Sequence, residues 1–467
     1  MKIDVVGESY TQSSLPFDAQ RSVNLYPVLD PKGKQVSALY GTPGCKLFST
    51  VGIGPHREAF AAANGRVFTV SGSKFFEIIS DGTSIERGTL LGSQGNITMD
   101  ENGLQLAVCD GQRLYIFTYA TNTFVLQTGK PFASALTVTA IGGYFVVNEV
   151  NSGRFYASKL FDGTTWDPLF FATAESSSDN LLRVQNISGQ LWLYGDKTTE
   201  VWGLNGSAFF PFSQVGGADM AVGIVGSYAV SEIDNSAIWV GKNRDGFGIV
   251  YRADGFSPVR ISNETIELRL QKAPDPSSLK TWTYQEQGHN FIVITGGGME
   301  TAICYDVSTQ SFHERAYLNN DGNYELPLAQ DCVFAFNKQL TFDRNNGNVY
   351  EQSLDFYSDN GEEIPRDRIM THLSEENQRI QFRSLVIDFE TGVGNVVDPA
   401  RNPQATLFFS DDGGRTWSGG RSVSMGAVGK YQTRCVWQRL GQARTRTFRI
   451  RVTDPVKVVI IGGYLNT

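Results

Sequence analysis

Val67-Phe68-Thr69-Val70-Ser71-Gly72-Ser73-Lys74-Phe75-Phe76-Glu77-Ile78 decides the fold class. Two runs rich in β-branched and aromatic residues flank Gly72-Ser73, a pair suited to a tight turn, so the stretch reads as a β-hairpin. The same shape returns in Leu104 to Ile116, in Ile141 to Asn148 and in Gly189 to Gly195. Later copies are Ala237 to Gly241, His289 to Ile294 and Cys332 to Phe336. They recur at roughly 35–50 residues, the period of a four-stranded propeller blade. The second half of a unit often ends in a polar turn and an aromatic strand, as in Thr198-Thr199-Glu200-Val201-Trp202 and Gly347-Asn348-Val349-Tyr350. Six or seven blades fit, irregular in sequence.

Working outward from the repeats, the chain divides into four parts. Residues 1–35 carry Pro16, Pro27 and Pro31 without a sustained period and read as an extended N-terminal arm. Residues 36–357 form the propeller, and Gln35 to Gly44 is the expected strand that closes its ring. Residues 358–379 read as a charged connector. Residues 380–467 read as a small C-terminal β-sandwich, because Arg383 to Phe389, Ala405 to Ser410 and Thr447 to Val452 alternate at period two. The whole chain is therefore expected to be all-β, with helix nearly absent.

Composition agrees with many short strands and glycine turns: there are 49 Gly in 467 residues. A chain of this length is expected to hold at least two domains. The start, Met1 to Glu8, contains acids and no cleavable apolar stretch, so synthesis and folding in a cytoplasm are expected. Five scattered cysteines and four scattered histidines form no metal-ligand spacing, and reduced, mostly buried thiols are expected. No cofactor is called for. Charge is unevenly spread: residues 380–467 hold 12 basic and 6 acidic groups, leaving 28 basic and 42 acidic groups before them. Either the two ends meet different partners, or two solvated surfaces differ in sign.

The chemistry-bearing candidates are few. Ser410-Asp411-Asp412-Gly413-Gly414-Arg415-Thr416-Trp417 matches the Asp-box pattern Ser-x-Asp-x-Gly-x-Thr-Trp. Such a box is a hairpin lock: Asp412 accepts from turn amides, Gly414 takes a positive φ, and Trp417 covers the loop. Ser410 and Thr416 complete it. Boxes of this kind recur in sialidase-like glycosidases, but here the full box occurs once and outside the repeats. A sialidase also needs an arginine cluster drawn from several blades, and the arginines before residue 250 occupy no repeated position. Gly296-Gly297-Gly298 leads back into a strand, which makes it a turn and not a phosphate cradle. No nucleophile elbow or nucleotide-binding loop is present, and a non-enzymatic chain is expected. The run Arg444, Arg446, Arg449 and Arg451 reads as an outward, partner-facing basic strand. Asp359, Glu362 and Glu363 are candidates for an acidic channel lining or a subunit interface.

Several phrases carry a resemblance. Ser22-Val23-Asn24-Leu25-Tyr26-Pro27 is followed by Ala38-Leu39-Tyr40-Gly41-Thr42-Pro43-Gly44. Phe161-Asp162-Gly163-Thr164-Thr165-Trp166-Asp167 continues through Phe171 to Ser176 and on to Thr199-Glu200-Val201-Trp202. With Asp388 to Gly394 and the Asp box, these phrases make the chain resemble the packaged-DNA stabilisation proteins of short-tailed bacteriophages, also called tail hubs or tail nozzles. The resemblance implies a structural virion protein. Six copies would form a ring below the portal and its adaptor, extend the channel for double-stranded DNA, and hold packaged DNA in the head. Tail fibres or spikes would attach to its flank and a needle or plug at its distal end. It would reside in the virion tail after assembly in the host cytoplasm, with no catalytic residue to carry over. The competing readings are a glycan-active propeller enzyme and an adhesin.

Overall fold

The computed structural model describes residues 2–7, 9, 20–29, 37–174, 179–207, 209–319, 321–375 and 378–467. Among the described residues, seven sets of antiparallel strands succeed one another along the chain as propeller blades. Blade one comprises His56–Ala61, Val67–Ser71, Lys74–Ile78 and Ser84–Thr89. Blade two runs from Thr98–Glu101 to Thr123–Leu126, blade three from Val138–Ile141 to Phe171–Thr173, and blade four from Leu181–Ile187 to Phe212–Gln214. Blade five gains a fifth strand, Gly223–Ile224. Blade six begins with Lys280–Glu286 and blade seven with Ala329–Ala335.

The repeated apolar phrase is the second strand of blades one to six. Its last copy, Cys332 to Phe336, falls instead in the first strand of blade seven, and the second strand there is Lys338–Asp343. Both strands are aromatic and β-branched, so pattern alone does not separate them. Among the described residues, helix is confined to Glu264–Gln271 and a 3-10 turn at Pro276–Ser278.

Each blade shares its cores with its neighbours. Phe68 and Phe75 of blade one pack with Leu106, Val108 and Phe117 of blade two. Trp192 and Tyr194 of blade four meet Trp239 of blade five. Burying one such side chain contributes roughly 1.5–3 kcal/mol, so no blade is independent of the next.

The ring closes from the N-terminal side, as expected, but with a different strand. Gly44–Thr50 pairs with Asn348–Ser353 as the fourth strand of blade seven. Ser37–Gly41, within the stretch expected to close the ring, pairs instead with Leu25–Leu29 and Val459–Asn466 of the sandwich. The reason is local: Leu39 is fully buried in the sandwich core, while Gly44 passes where a Cβ would lie 2.5 Å from the Ser358 carbonyl oxygen. Gln35 and Val36 lie outside the described residues.

Two sheets form the sandwich. One holds Leu25–Leu29, Ser37–Gly41, Val459–Asn466, Ile380–Phe389 and Cys435–Ala443, with Lys2–Ile3 on Val459–Asn466. The other holds Arg366–Ile369, Thr445–Val452, Gln404–Ser410 and Arg421–Ser424. Leu25, Leu39, Leu385, Trp437, Phe448 and Ile450 fill the space between them. The expected arm thus contributes strands, and part of the expected connector, Arg366–Ile369, is one too. Arg21–Val23 runs parallel to the outer strand of blade six, Ser311–Arg315, and antiparallel to Arg366–Ile369. A single ten-stranded sheet therefore continues from propeller into sandwich.

Candidate functional site

The axis of the propeller is the first place to look for chemistry, because inner strands converge there. A cavity of about 210 Å³ is lined by Glu58, Arg183, Tyr228, Glu232, Lys280 and Asp331, among others. Lys280 Nζ lies 2.7 Å from Glu58 Oε2 and 3.3 Å from Asp331 Oδ2. Burial, with the neighbouring Asp331, pushes the Glu58 carboxyl up to about 7. Burial would lower the Lys280 ammonium, but Asp331 and Glu58 outweigh it and raise its pKa.

These groups are fasteners between blades. Asp331 Oδ2 accepts from the Ala59 amide at 2.9 Å, joining blade seven to blade one. Asp100 Oδ2 accepts from the Ala140 amide at 2.7 Å, joining blade two to blade three, and burial raises its pKa to about 6. Val184 donates its amide to Thr137, Ser188 to Glu232, and Thr281 shares a hydrogen bond with Ser231, which carries the series on to blade six. Polar side chains near the inner strands thus give these neighbouring blades directional bonds to one another. The signal was present in the sequence as Thr and Asp within apolar strands, but their partners lie about 40 to 270 residues away.

Three of the four histidines, His56, His289 and His313, lie on blade strands, and His372 lies between two strands of the sandwich. Burial lowers His56 to about 4 and His313 to about 3, and His289 hydrogen-bonds Asp306 at 2.6 Å. All five cysteines are free thiols, and four are buried. Among the described residues, no group of three or more His, Cys, Asp or Glu could hold a metal ion. Gly296, Gly297 and Gly298 all have positive φ and turn the chain between His289–Thr295 and Ala302–Asp306.

The Asp box lies between Gln404–Ser410 and Arg421–Ser424, which pair with each other. Asp412 accepts from the Arg415 and Thr416 amides and from the Thr416 hydroxyl, the last at 2.6 Å. Those bonds hold its carboxyl far below the usual range. Ser410 Oγ donates to Asp412 and accepts from the Gly414 amide, and Gly414 has φ of +91°. Trp417 lies beneath, with the Arg449 guanidinium 4.7 Å from its ring.

The basic strand is not a uniform outer face. Arg446 shares parity with Phe448, Ile450 and Val452 and points into the sandwich, which corrects the outward reading. Its guanidinium pairs with both Asp411 carboxylate oxygens at 2.6 and 2.7 Å, packs on Phe382 and Phe409, and donates to the Leu440 carbonyl. Arg451 pairs with the fully buried Asp367 at 2.5 and 2.7 Å and donates to Tyr324. Arg449 covers Phe408 and Trp417, and Arg444 lies exposed beside the turn into Thr445–Val452.

The three candidate acids separate as well. Asp359 is enclosed beside Cys45, Arg315 and Arg366; burial raises its pKa against those arginines. Glu362 and Glu363 are exposed on a short hairpin at the outer edge of blade seven.

A buried charge cluster at the junction of the domains was missed altogether. Glu314 of blade six binds Arg21 through both oxygens, at 2.9 and 2.7 Å, with Arg269 at 3.4 Å. Arg368 donates to the Val5 and Gly7 carbonyls and to Ser22. Asn24, at φ of +53°, donates to the Ala316 and Pro365 carbonyls and accepts from the Ala316 amide. The phrase Ser22 to Pro27 is therefore the pin between propeller and sandwich.

Two family models match the chain. One, described as bacteriophage P22 Gp10, beta-propeller, covers residues 1–356; the other, bacteriophage P22 Gp10, beta-sandwich, covers residues 366–467. No curated protein matches in sequence. Solved structures with a similar shape include the WD40 propeller domain of Doa1, at 11% identity over 66% of this chain and 97% of that one, TM-score 0.42. A chain of the mitotic checkpoint complex matches at 11% identity over 74% and 97%, TM-score 0.41. The computationally designed Ika8 protein matches at 13% over 74% and 100%, TM-score 0.40. Likenesses this loose carry no functional information.

Proposed function

Since the chain belongs to the bacteriophage P22 Gp10 family, whose propeller and sandwich it carries in order, we propose that it forms the DNA-conducting hub of a short phage tail. It is a structural virion protein of the tail. The observation that carries this reading is the match of both family domains over nearly the whole chain. Neither match speaks for the glycan-active alternative.

The finer reading is mechanical. A propeller fused to a sandwich by one continuous sheet is a stiff wedge, because bending it would break backbone pairing between Arg21–Val23 and both neighbours. Six such wedges joined head to tail would close around a channel below the portal–adaptor complex. Double-stranded DNA would pass without sequence-specific contact, and the ring would help retain it in the head. Fibres or spikes would attach at the flank, with a needle or plug at the far end. Nothing in this role requires a reacting side chain.

An acidic wall would lower friction, since affinity for DNA comes from cations that neutralise phosphates. Glu362 and Glu363 are the exposed acids proposed for that wall. Adding purified protein to the portal–adaptor complex should lengthen the tail in negative-stain images and show a ring end-on. Images in which the adaptor stays bare would refute the hub. Separately, Glu362→Lys with Glu363→Lys should slow DNA ejection in vitro; unchanged kinetics would remove these acids from the channel while leaving the hub intact.

A further inference from the structure

An apolar patch lies on the propeller where blades three and four meet. Leu160 and Phe161, in the loop between the third and fourth strands of blade three, rest on the Gly142–Gly143 hairpin beside Leu204 of blade four. A Cβ at Gly143 would lie 2.8 Å from Phe161 and 3.0 Å from Leu160; at Gly142 it would lie 2.5 Å from Leu204. The three side chains are 47–49% exposed.

The loop that presents them is rigid. The Phe161 amide donates to the Gly143 carbonyl, Lys159 bonds Thr165, and the Gly163 amide reaches Gln105 of blade two at 2.7 Å. Asp162 accepts from Thr164 and Thr165. Phe161 has φ of +57°, a conformation that bulky side chains rarely adopt. Strain of this kind, held by a fully bonded loop around an outward aromatic, points to a surface built for contact.

A second apolar patch lies on the sandwich. The loops 391–401 and 426–434 pack together through Gly429 to Gly392 and Thr391 to the Tyr431 carbonyl. They expose Val396, Val397, Val428 and Tyr431, at 60–74%. The two patches belong to different domains, the first to blades three and four and the second to the sandwich, whose sheet continues from blade six. Their charges are opposed. The sandwich loops carry Arg401, Lys430 and Arg434 with one acid, Asp398; the propeller loop carries Asp162 and Asp167 with one base, Lys159.

Resting on the ring proposed above, we infer that the occupant of the Leu160–Phe161–Leu204 patch is a second copy of this chain, docked through its Val396–Val397–Tyr431 patch. A patch that met its own kind would give a twofold dimer and stop. Two different patches on different domains give a head-to-tail contact that repeats until the ring closes. The opposed charges favour this register over like-with-like pairing.

The test is a chain carrying Leu204→Cys and Val397→Cys, assembled into tails and treated with a short bismaleimide. A ladder of covalent multimers on denaturing gels is expected from the double variant, with each single variant and the parent remaining monomeric. Rings seen by microscopy without a ladder would overturn this interface and leave the hub reading standing. Absence of rings in every preparation would overturn both. As a second measure, Leu204→Glu should lower ring yield at least about ten-fold with an unchanged melting curve; unaltered yield would sink the interface.

Discussion

Arg446 shows how parity outranks charge. It occupies an inward position of an alternating strand, so its guanidinium must find internal partners or be expelled. It finds Asp411 through two bonds and lies between Phe382 and Phe409. Arg446→Ala should destabilise the protein by about 3 kcal/mol, because the Asp411 pairing and the Leu440 carbonyl bond are lost together. Arg446→Lys should recover less than half, since an ammonium cannot span both carboxylate oxygens. Chemical denaturation followed by tryptophan fluorescence would check both; equal stability of the lysine variant and the parent would refute the fork. Asn24 makes a similar point: within the phrase Ser22 to Pro27 it makes three hydrogen bonds at a domain junction.

At the scale of elements, the sandwich is completed by strands from the other end of the chain. Leu25 and Leu39 lie in its core, and Ser37–Gly41 covers one edge of Val459–Asn466. A fragment of residues 366–467 should therefore fail to fold by itself, leaving an open sheet edge and an uncovered core. Far-UV circular dichroism and amide proton dispersion would show it; a cooperative melt of the fragment would count against the arrangement. Closure of blade seven should be just as sensitive. Gly44→Val places a side chain against the Ser358 and Phe356 carbonyls and should release the outer strand to proteolysis.

The whole molecule should respond to pH through its seams. Burial holds Asp100 at about 6, so the folded chain keeps a proton that the unfolded chain releases. The stability from this group is complete below the unfolded value of 3.8 and is lost as pH rises through about 6. Asp100→Asn should remove on the order of 3 kcal/mol of slope between pH 4 and pH 7, read as a flatter profile of melting temperature. An unaltered profile would refute the burial argument. Glu314 has the opposite sign. Burial alone would raise it, but Arg21 and Arg269 hold it down at about 2, so its stabilisation is present above 4.5 and lost as pH falls through about 2. The propeller–sandwich junction should therefore survive mild acid.

The all-β class, the blade repeat, the C-terminal sandwich and the Asp-box lock were legible because each is written in contiguous residues. Alternation at period two and a turn residue need no distant partner to be recognised. Seven blades, Gly44–Thr50 as the closing strand, the inward Arg446 and the enclosed Asp359 were decided only in the folded chain. So was the buried cluster of Arg21, Arg269 and Glu314, whose members stand up to 293 positions apart. Pairings across such distances depend on which surfaces the completed blades bring together, and a one-dimensional pattern holds no record of that.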